Sequence, residues 1–165
     1  MNFRLIAYLV AVLLFCIGLS MTAPLGVALY YGDGSAPALL GSLLLTCGAG
    51  GGVFFRTRGQ EDFYLSHRDG VAIVTLGWLA AGLAATLPYL LSGAIPDFTN
   101  AYFESISGLT TTGSSIFKDV EVLPQGILFW RAQTQWLGGM GIIVLSIAIL
   151  PFLGVGGRQL FKAEV

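Results

Sequence analysis

Charge is the scarcest feature of this chain. Only 10% of its 165 residues are Asp, Glu, Lys or Arg, against about 25% in an ordinary soluble domain. Hydrophobic residues make up 55% and the mean hydropathy is +0.80. These values exclude a soluble globular domain and define a membrane protein. The formal net charge of −1 offers no basic surface for nucleic acid. Histidine occurs once, as His67, outside every apolar segment, and no lysine lies inside one. Ser105, Ser107, Ser114 and Ser115 cluster near Gly108 and Gly113, but a serine nucleophile needs an adjacent base. The chain is therefore not read as an enzyme. Cys16 and Cys47 fall in apolar segments and read as small buried hydrophobes. They carry no information about redox compartment. The glycines at Gly48, Gly50, Gly51 and Gly52 lack the following Lys-Ser/Thr and the βαβ setting of a nucleotide loop. Helix packing through Gly48 and Gly52 is the expectation there.

Long apolar runs are what the sequence has instead. Leu5 to Gly32, Gly34 to Phe55, Gly70 to Pro96 and Ala132 to Gly157 each reach the roughly 20 residues that a membrane span requires. The first run is longer than the apolar core of a signal peptide, so it reads as a retained helix. A turn at Gly32-Asp33-Gly34 folds the first two into an antiparallel hairpin. The fold class expected is all-α: an N-terminal two-helix hairpin (residues 1–55), a cytoplasmic loop (56–69) and one helix–loop–helix unit (70–165).

The few charges orient this arrangement. Arg4, Arg56, Arg58, Arg68, Arg158 and Lys162 fall on one side of four spans, with Lys118 and Arg131 on the other. By the positive-inside rule both termini are cytoplasmic. Asp33, Asp97, Glu104, Asp119 and Glu121 give the opposite side an acidic surface that concentrates cations.

The connector from Asp97 to Arg131 holds the most informative stretch, Tyr102-Phe103-Glu104-Ser105-Ile106-Ser107-Gly108-Leu109-Thr110-Thr111-Thr112-Gly113-Ser114-Ser115. Asp97 or Thr99 is a plausible N-cap for a short helix over Phe98 to Gly108, with Gly108 as its stop. The loop from Thr110 to Ser115 then returns outward. Such backbone is tolerated at membrane depth only where it is buried in protein or lines a water-filled path. Its carbonyls can replace an ion's hydration shell. The negative end of the short helix favours a cation there, and Gly113 can take left-handed angles. Thr110, Thr111, Thr112, Gly113 and Ser114 are the candidate potassium-binding residues of a selectivity filter. Glu104 is expected to brace the loop from behind. Arg131 is expected to pair with Glu104 or Asp97. Gly138, Gly139 and Gly141 should give close packing, Pro151 should bend the last helix, and His67 should be exposed or packed.

Two stretches, Tyr102 to Gly113 and Arg131-Ala132-Gln133-Thr134-Gln135-Trp136-Leu137-Gly138-Gly139-Met140-Gly141, resemble the TrkH-type branch of the Trk/Ktr/HKT superfamily of potassium transporters. The resemblance covers the whole chain. It implies four potassium-channel-like helix–loop–helix repeats around one pore, each with a single filter glycine, Gly113 matching that of the first repeat. It further implies potassium uptake across the bacterial inner membrane, with K+ as the transported ion. Sodium or proton symport is the family's mode, and the coupling ion stays open. A cytoplasmic nucleotide-binding TrkA-type subunit is the implied regulator. Glycine rather than serine at this position argues for potassium. Only one repeat is present, so the other partners implied are membrane lipid and either the missing repeats or further copies of the chain. The alternative is a non-conducting fragment or an assembly or regulatory subunit.

Overall fold

The computed structural model describes residues 2–57 and 67–149, with backbone alone for His67 and from 142 onward. The described residues are helical, without strands: α1 (Phe3–Ser20), α2 (Thr22–Tyr31), α3 (Ala36–Thr57), α4 (His67–Ser92), α5 (Phe98–Leu109) and α6 (Gln125–Ile149). Three stretches, Phe3–Tyr31, Ala36–Thr57 and Arg68–Ser92, are long and apolar enough to cross a membrane. The fourth expected span starts earlier than its apolar run, at Gln125. Its end, with Pro151, Arg158 and Lys162, lies outside the described residues, as does Arg58. Many large apolar side chains face outward, including Leu44, Phe55, Leu83 and Trp136. That pattern suits helices whose outer face meets hydrocarbon or further helices rather than water.

The first apolar run is two helices rather than one. Pro24 has no N–H, and its ring crowds the carbonyl four residues earlier, which is that of Ser20. The helix breaks at Met21, whose side chain is fully buried. Gly32 (φ 61°) and Gly34 (φ 80°) then make the expected turn in left-handed conformations that suit glycine. Between them Asp33 accepts hydrogen bonds from the Ser35 backbone and hydroxyl and, through Oδ2, from the Gly126 N–H at 2.7 Å. Partial burial raises its pKa, but the bonds from Gly126 and Ser35 outweigh this and hold the carboxyl below its ordinary value. Asp33 thus caps the first turn of α6 and is less a surface charge than the sequence suggests. Gly126 permits the approach, because a Cβ there would meet the Ala28 Cβ at 2.7 Å.

The hairpin packs α1 along α3, but through different glycines from those expected. A Cβ added to Gly48 or Gly52 would meet nothing within 4 Å, whereas one on Gly50 would meet the Phe15 nitrogen at 2.8 Å and the Ala11 oxygen at 2.9 Å. Gly18 likewise fits against Cys47. The cysteine expectation also needs correction, since Cys16 is exposed and Cys47 half-buried. Cys16 shows that apolar character in a membrane helix does not require burial, whereas Cys47 packs on α1 against Gly18, its Sγ 3.8 Å from the Phe15 carbonyl, and is covered on that side alone. The core joins Met21, at the break, to Ala28, Leu39, Tyr89, Ile127 and Trp130 from α2, α3, α4 and α6. Trp130 is fully buried and donates its indole N–H to the Ala85 carbonyl at 3.1 Å. This satisfies the one polar atom that a buried tryptophan brings.

Candidate functional site

The short helix α5 sits in a slot between α4 and α6 that three small residues make possible. A Cβ on Gly82 of α4 would meet Ile106 and Tyr102. One on Gly138 of α6 would run into the Leu109 backbone, and one on Gly108 would collide with Thr134. The packing expected of Gly138 is present, while a Cβ on Gly139 would meet Thr111 only at 3.9 Å and one on Gly141 would meet nothing within 4 Å among the described residues. Asp97 caps α5, accepting from the Asn100 N–H at 2.8 Å. Of the face toward the protein, Ala101, Glu104, Ser105, Gly108 and Leu109 are buried.

The helix does not stop at Gly108. That glycine is used for contact with α6, and the chain reverses one turn later at Thr111, with φ 56°. The Thr111 N–H bonds the Gly108 carbonyl at 2.9 Å and the Thr112 N–H bonds the Ser107 carbonyl at 3.0 Å. This is the paired closure of a Schellman C-cap, in which glycine usually occupies the left-handed position. A β-branched residue there is an outlier, and such conformations persist only where the surroundings over-determine them. Gly113 takes φ 77°, the left-handed geometry expected of it.

The loop divides its polar groups into two sets. Thr110, Thr111, Thr112 and Gly113 all turn their N–H groups back onto the carbonyls of Ile106, Gly108 and Ser107. The carbonyls of the same four residues receive no hydrogen bond from any described residue. Residues 110–116 are all exposed. Thr110 spends its hydroxyl on Ile106 O and on Thr112 Oγ1, each at 2.8 Å. Ser114 differs from the other four predicted residues, since its carbonyl accepts from the Ser107 hydroxyl.

Behind the loop stands Glu104, 2% exposed. One carboxylate takes three kinds of donor: Arg131 Nε at 2.8 Å, the Ser115 hydroxyl at 3.1 Å to both oxygens, and the Ile116 N–H at 3.0 Å. Glu104 therefore leaves the acidic surface to which its sequence position assigned it and becomes the expected brace. Arg131 chooses Glu104 over Asp97. A buried carboxylate held by a cation and several donors is stable where an unpaired one is not. Below it, Thr86 and Ser105 meet at 3.3 Å, and each also bonds a carbonyl one turn back in its own helix. The roles of Ser107, Ser115, Thr134 and Gly82 are not visible as a sequence pattern. Ser107 and Ser115 stand out only as members of a serine cluster, eight residues apart across the turn.

A short capped helix set between the long helices α4 and α6, followed by an exposed loop whose carbonyls have no donor among the described residues, defines an all-α membrane protein of the pore-loop kind. Residues 38–165 match the TrkH family model, described as a cation transport protein, and the chain belongs to the TrkH family. It is 42% identical over 166 residues to the Trk system potassium uptake protein TrkH of Halomonas elongata and 45% identical over 169 residues to that of Vibrio parahaemolyticus. Each alignment covers 100% of this chain and 34% of the relative. The crystal structure of the potassium transporter TrkH from Vibrio parahaemolyticus superposes with a TM-score of 0.88 at 41% identity, over 99% of this chain and 36% of that one. The chain thus spans about a third of the length of the relatives it matches. Those relatives are transport proteins and not enzymes.

Proposed function

We propose that this chain supplies one quarter of a potassium-selective pore in the bacterial cytoplasmic membrane, with Thr110, Thr111, Thr112 and Gly113 coordinating a dehydrated K+ ion through backbone carbonyls. Ser114 lies at the outer mouth. The observation that carries this reading is the division of the loop: four consecutive N–H groups are tied inward and the four matching carbonyls are left without a donor. Carbonyl rings of that kind replace an ion's hydration shell. The potassium uptake named in the relatives' descriptions supports K+ as the ion moved. The remaining coordination comes from three further loops, in the same polypeptide or in other copies. The hairpin of residues 1–55 stands outside the pore repeat of residues 70–165. Both termini face the cytoplasm, the loop enters from outside, and a cytoplasmic nucleotide-binding subunit of the TrkA type regulates the pore, with Na+ or H+ as the coupling ion.

Gly113 gives the test. Gly113→Ser adds a Cβ at a left-handed position, where an L-residue costs about 1–2 kcal/mol, and a hydroxyl beside the ion path. In a pore containing all four loops, the preference for K+ over Na+ should fall, measured as the ratio of uptake rates in cells or liposomes. Unchanged selectivity removes Gly113 from the mechanism.

A further inference from the structure

Helix α6 carries two stripes of contact. Arg131, Thr134 and Gly138 face α5 and its loop. Gly126 and Gln133, seven residues apart and hence on a common face, meet the N-terminal helices. The second contact depends on the break at Met21. Because Pro24 has no N–H, the Ser20 carbonyl has no partner within its own helix. Gln133 fills that position from another part of the chain, its Nε2 donating to Ser20 O at 2.8 Å. Its Oε1 is buried without a partner among the described residues. An amide kept in such a place at the expense of an unpaired oxygen is there for its donor. Gln133 also lies within the stretch Arg131 to Gly141, and the coordinating loop itself makes no use of it.

We propose that the N-terminal helices clamp α6 at Gly126 and Gln133, and that Gln133 is a positioning residue for the ion-coordinating carbonyls of Thr110 to Gly113. The proposal rests on the reading of that loop as a filter. The path is short. Asp33 and Ser20 fix the height and rotation of α6. Arg131 on the neighbouring stripe then fixes Glu104, and Glu104 holds Ser115 and Ile116 at the end of the loop. A turn of α6 that breaks the Gln133 bond also moves Arg131. The hairpin, on this account, is a part of the selectivity machinery rather than a membrane anchor.

The experiment uses the transporter with all four loops, expressed in cells lacking other potassium uptake, with apparent KM for K+ and the K+/Na+ uptake ratio as readouts. Gln133→Leu keeps the volume and removes the donor. The K+/Na+ ratio should fall, or KM rise, by roughly threefold or more, within the range of coupling through packed networks, at wild-type levels of protein in the membrane. Pro24→Ala gives Ser20 O a backbone N–H and should have the same effect without touching Gln133. It also carries the test if Gln133→Leu does not accumulate. Since both act on one acceptor, the double variant should be no worse than the worse single one. Gly113→Ser is the control. Loss of selectivity in Gly113→Ser with wild-type KM and selectivity in Gln133→Leu or Pro24→Ala overturns the clamp while leaving the filter. Additive effects in the double variant also overturn it. Unchanged selectivity in Gly113→Ser overturns the filter, and the clamp with it.

Discussion

The two sides of the segment from Tyr102 to Ile116 are built on opposite terms. On the inner side every strong polar group is paired: Glu104 with Arg131, Ser115 and Ile116, and Ser105 with Ala101 and Thr86. On the outer side four carbonyls have no donor among the described residues, and Thr111 stands in a backbone conformation that its side chain disfavours. The contrast teaches that the exposed oxygens are not loose. Their N–H partners are fixed to α5, α5 is wedged between glycines, and the loop's far end is tied to a buried ion pair. An ion-coordinating loop needs this division, because oxygens satisfied by their own protein are not available to a cation, and oxygens on a free loop are not held at one spacing.

The inner side can be broken most severely at Gly138. Any side chain there meets the backbone of Leu109 rather than a flexible tip. Gly138→Val should displace α5 and cost several kcal/mol, of the order seen for overpacked or strained core sites. The expected result is a large loss of monodisperse protein in detergent. Gly141→Val, with open space around it, should behave as wild type in the same assay.

Arg131→Leu should come next. It leaves Glu104 buried without its cation, which costs about 3–5 kcal/mol when one partner of a buried pair is removed. Glu104→Gln should cost less, because an amide still accepts from Ser115 or Ile116 and Arg131 retains some access to solvent. The double variant Glu104→Gln, Arg131→Leu should recover part of the thermal stability lost in Arg131→Leu. A double variant less stable than Arg131→Leu would contradict the pairing as the reason for the brace.

Much of this is legible in the sequence. The apolar runs mark the helices because hydrophobic length is a one-dimensional signal. Asp97, followed by an apolar-periodic stretch, marks the start of α5. The lone carboxylate of Glu104 and the lone guanidinium of Arg131, both near apolar surroundings, can be expected to seek each other. What is not legible depends on which faces meet. Four glycines between Gly48 and Gly52 look alike in sequence, yet only Gly50 points at α1. Gly108 reads as a helix stop, but its contact with Thr134 takes precedence, and the left-handed turn passes to Thr111. The run from Leu5 to Gly32 reads as one helix because it lacks charge, so the Pro24 break is missed, and the donor that reaches the freed carbonyl, Gln133, lies 113 residues away. Asp33 and Gly126, 93 residues apart, belong to the same class of long-range pairing.

The smallest expected effect lies on the outer side. Thr111→Gly relieves the left-handed strain but loosens the unfolded chain, so folding stability should change by about 1 kcal/mol or less. Selectivity should nevertheless decline, because the restriction that Thr111 places on the loop is lost. A Thr111→Gly variant with unchanged stability and lower K+/Na+ discrimination sharpens the comparison. One with unchanged discrimination shows that the strain at Thr111 has no part in ion selection.

The central claim is that the unpaired carbonyls of Thr110 to Gly113 hold the ion. Rubidium, which scatters anomalously, substitutes for potassium in crystals of a transporter containing all four loops. The account predicts an anomalous peak in contact with the carbonyl oxygens of these four residues, diminished when sodium replaces rubidium. A peak at Glu104 or elsewhere, with none at this loop, would contradict it.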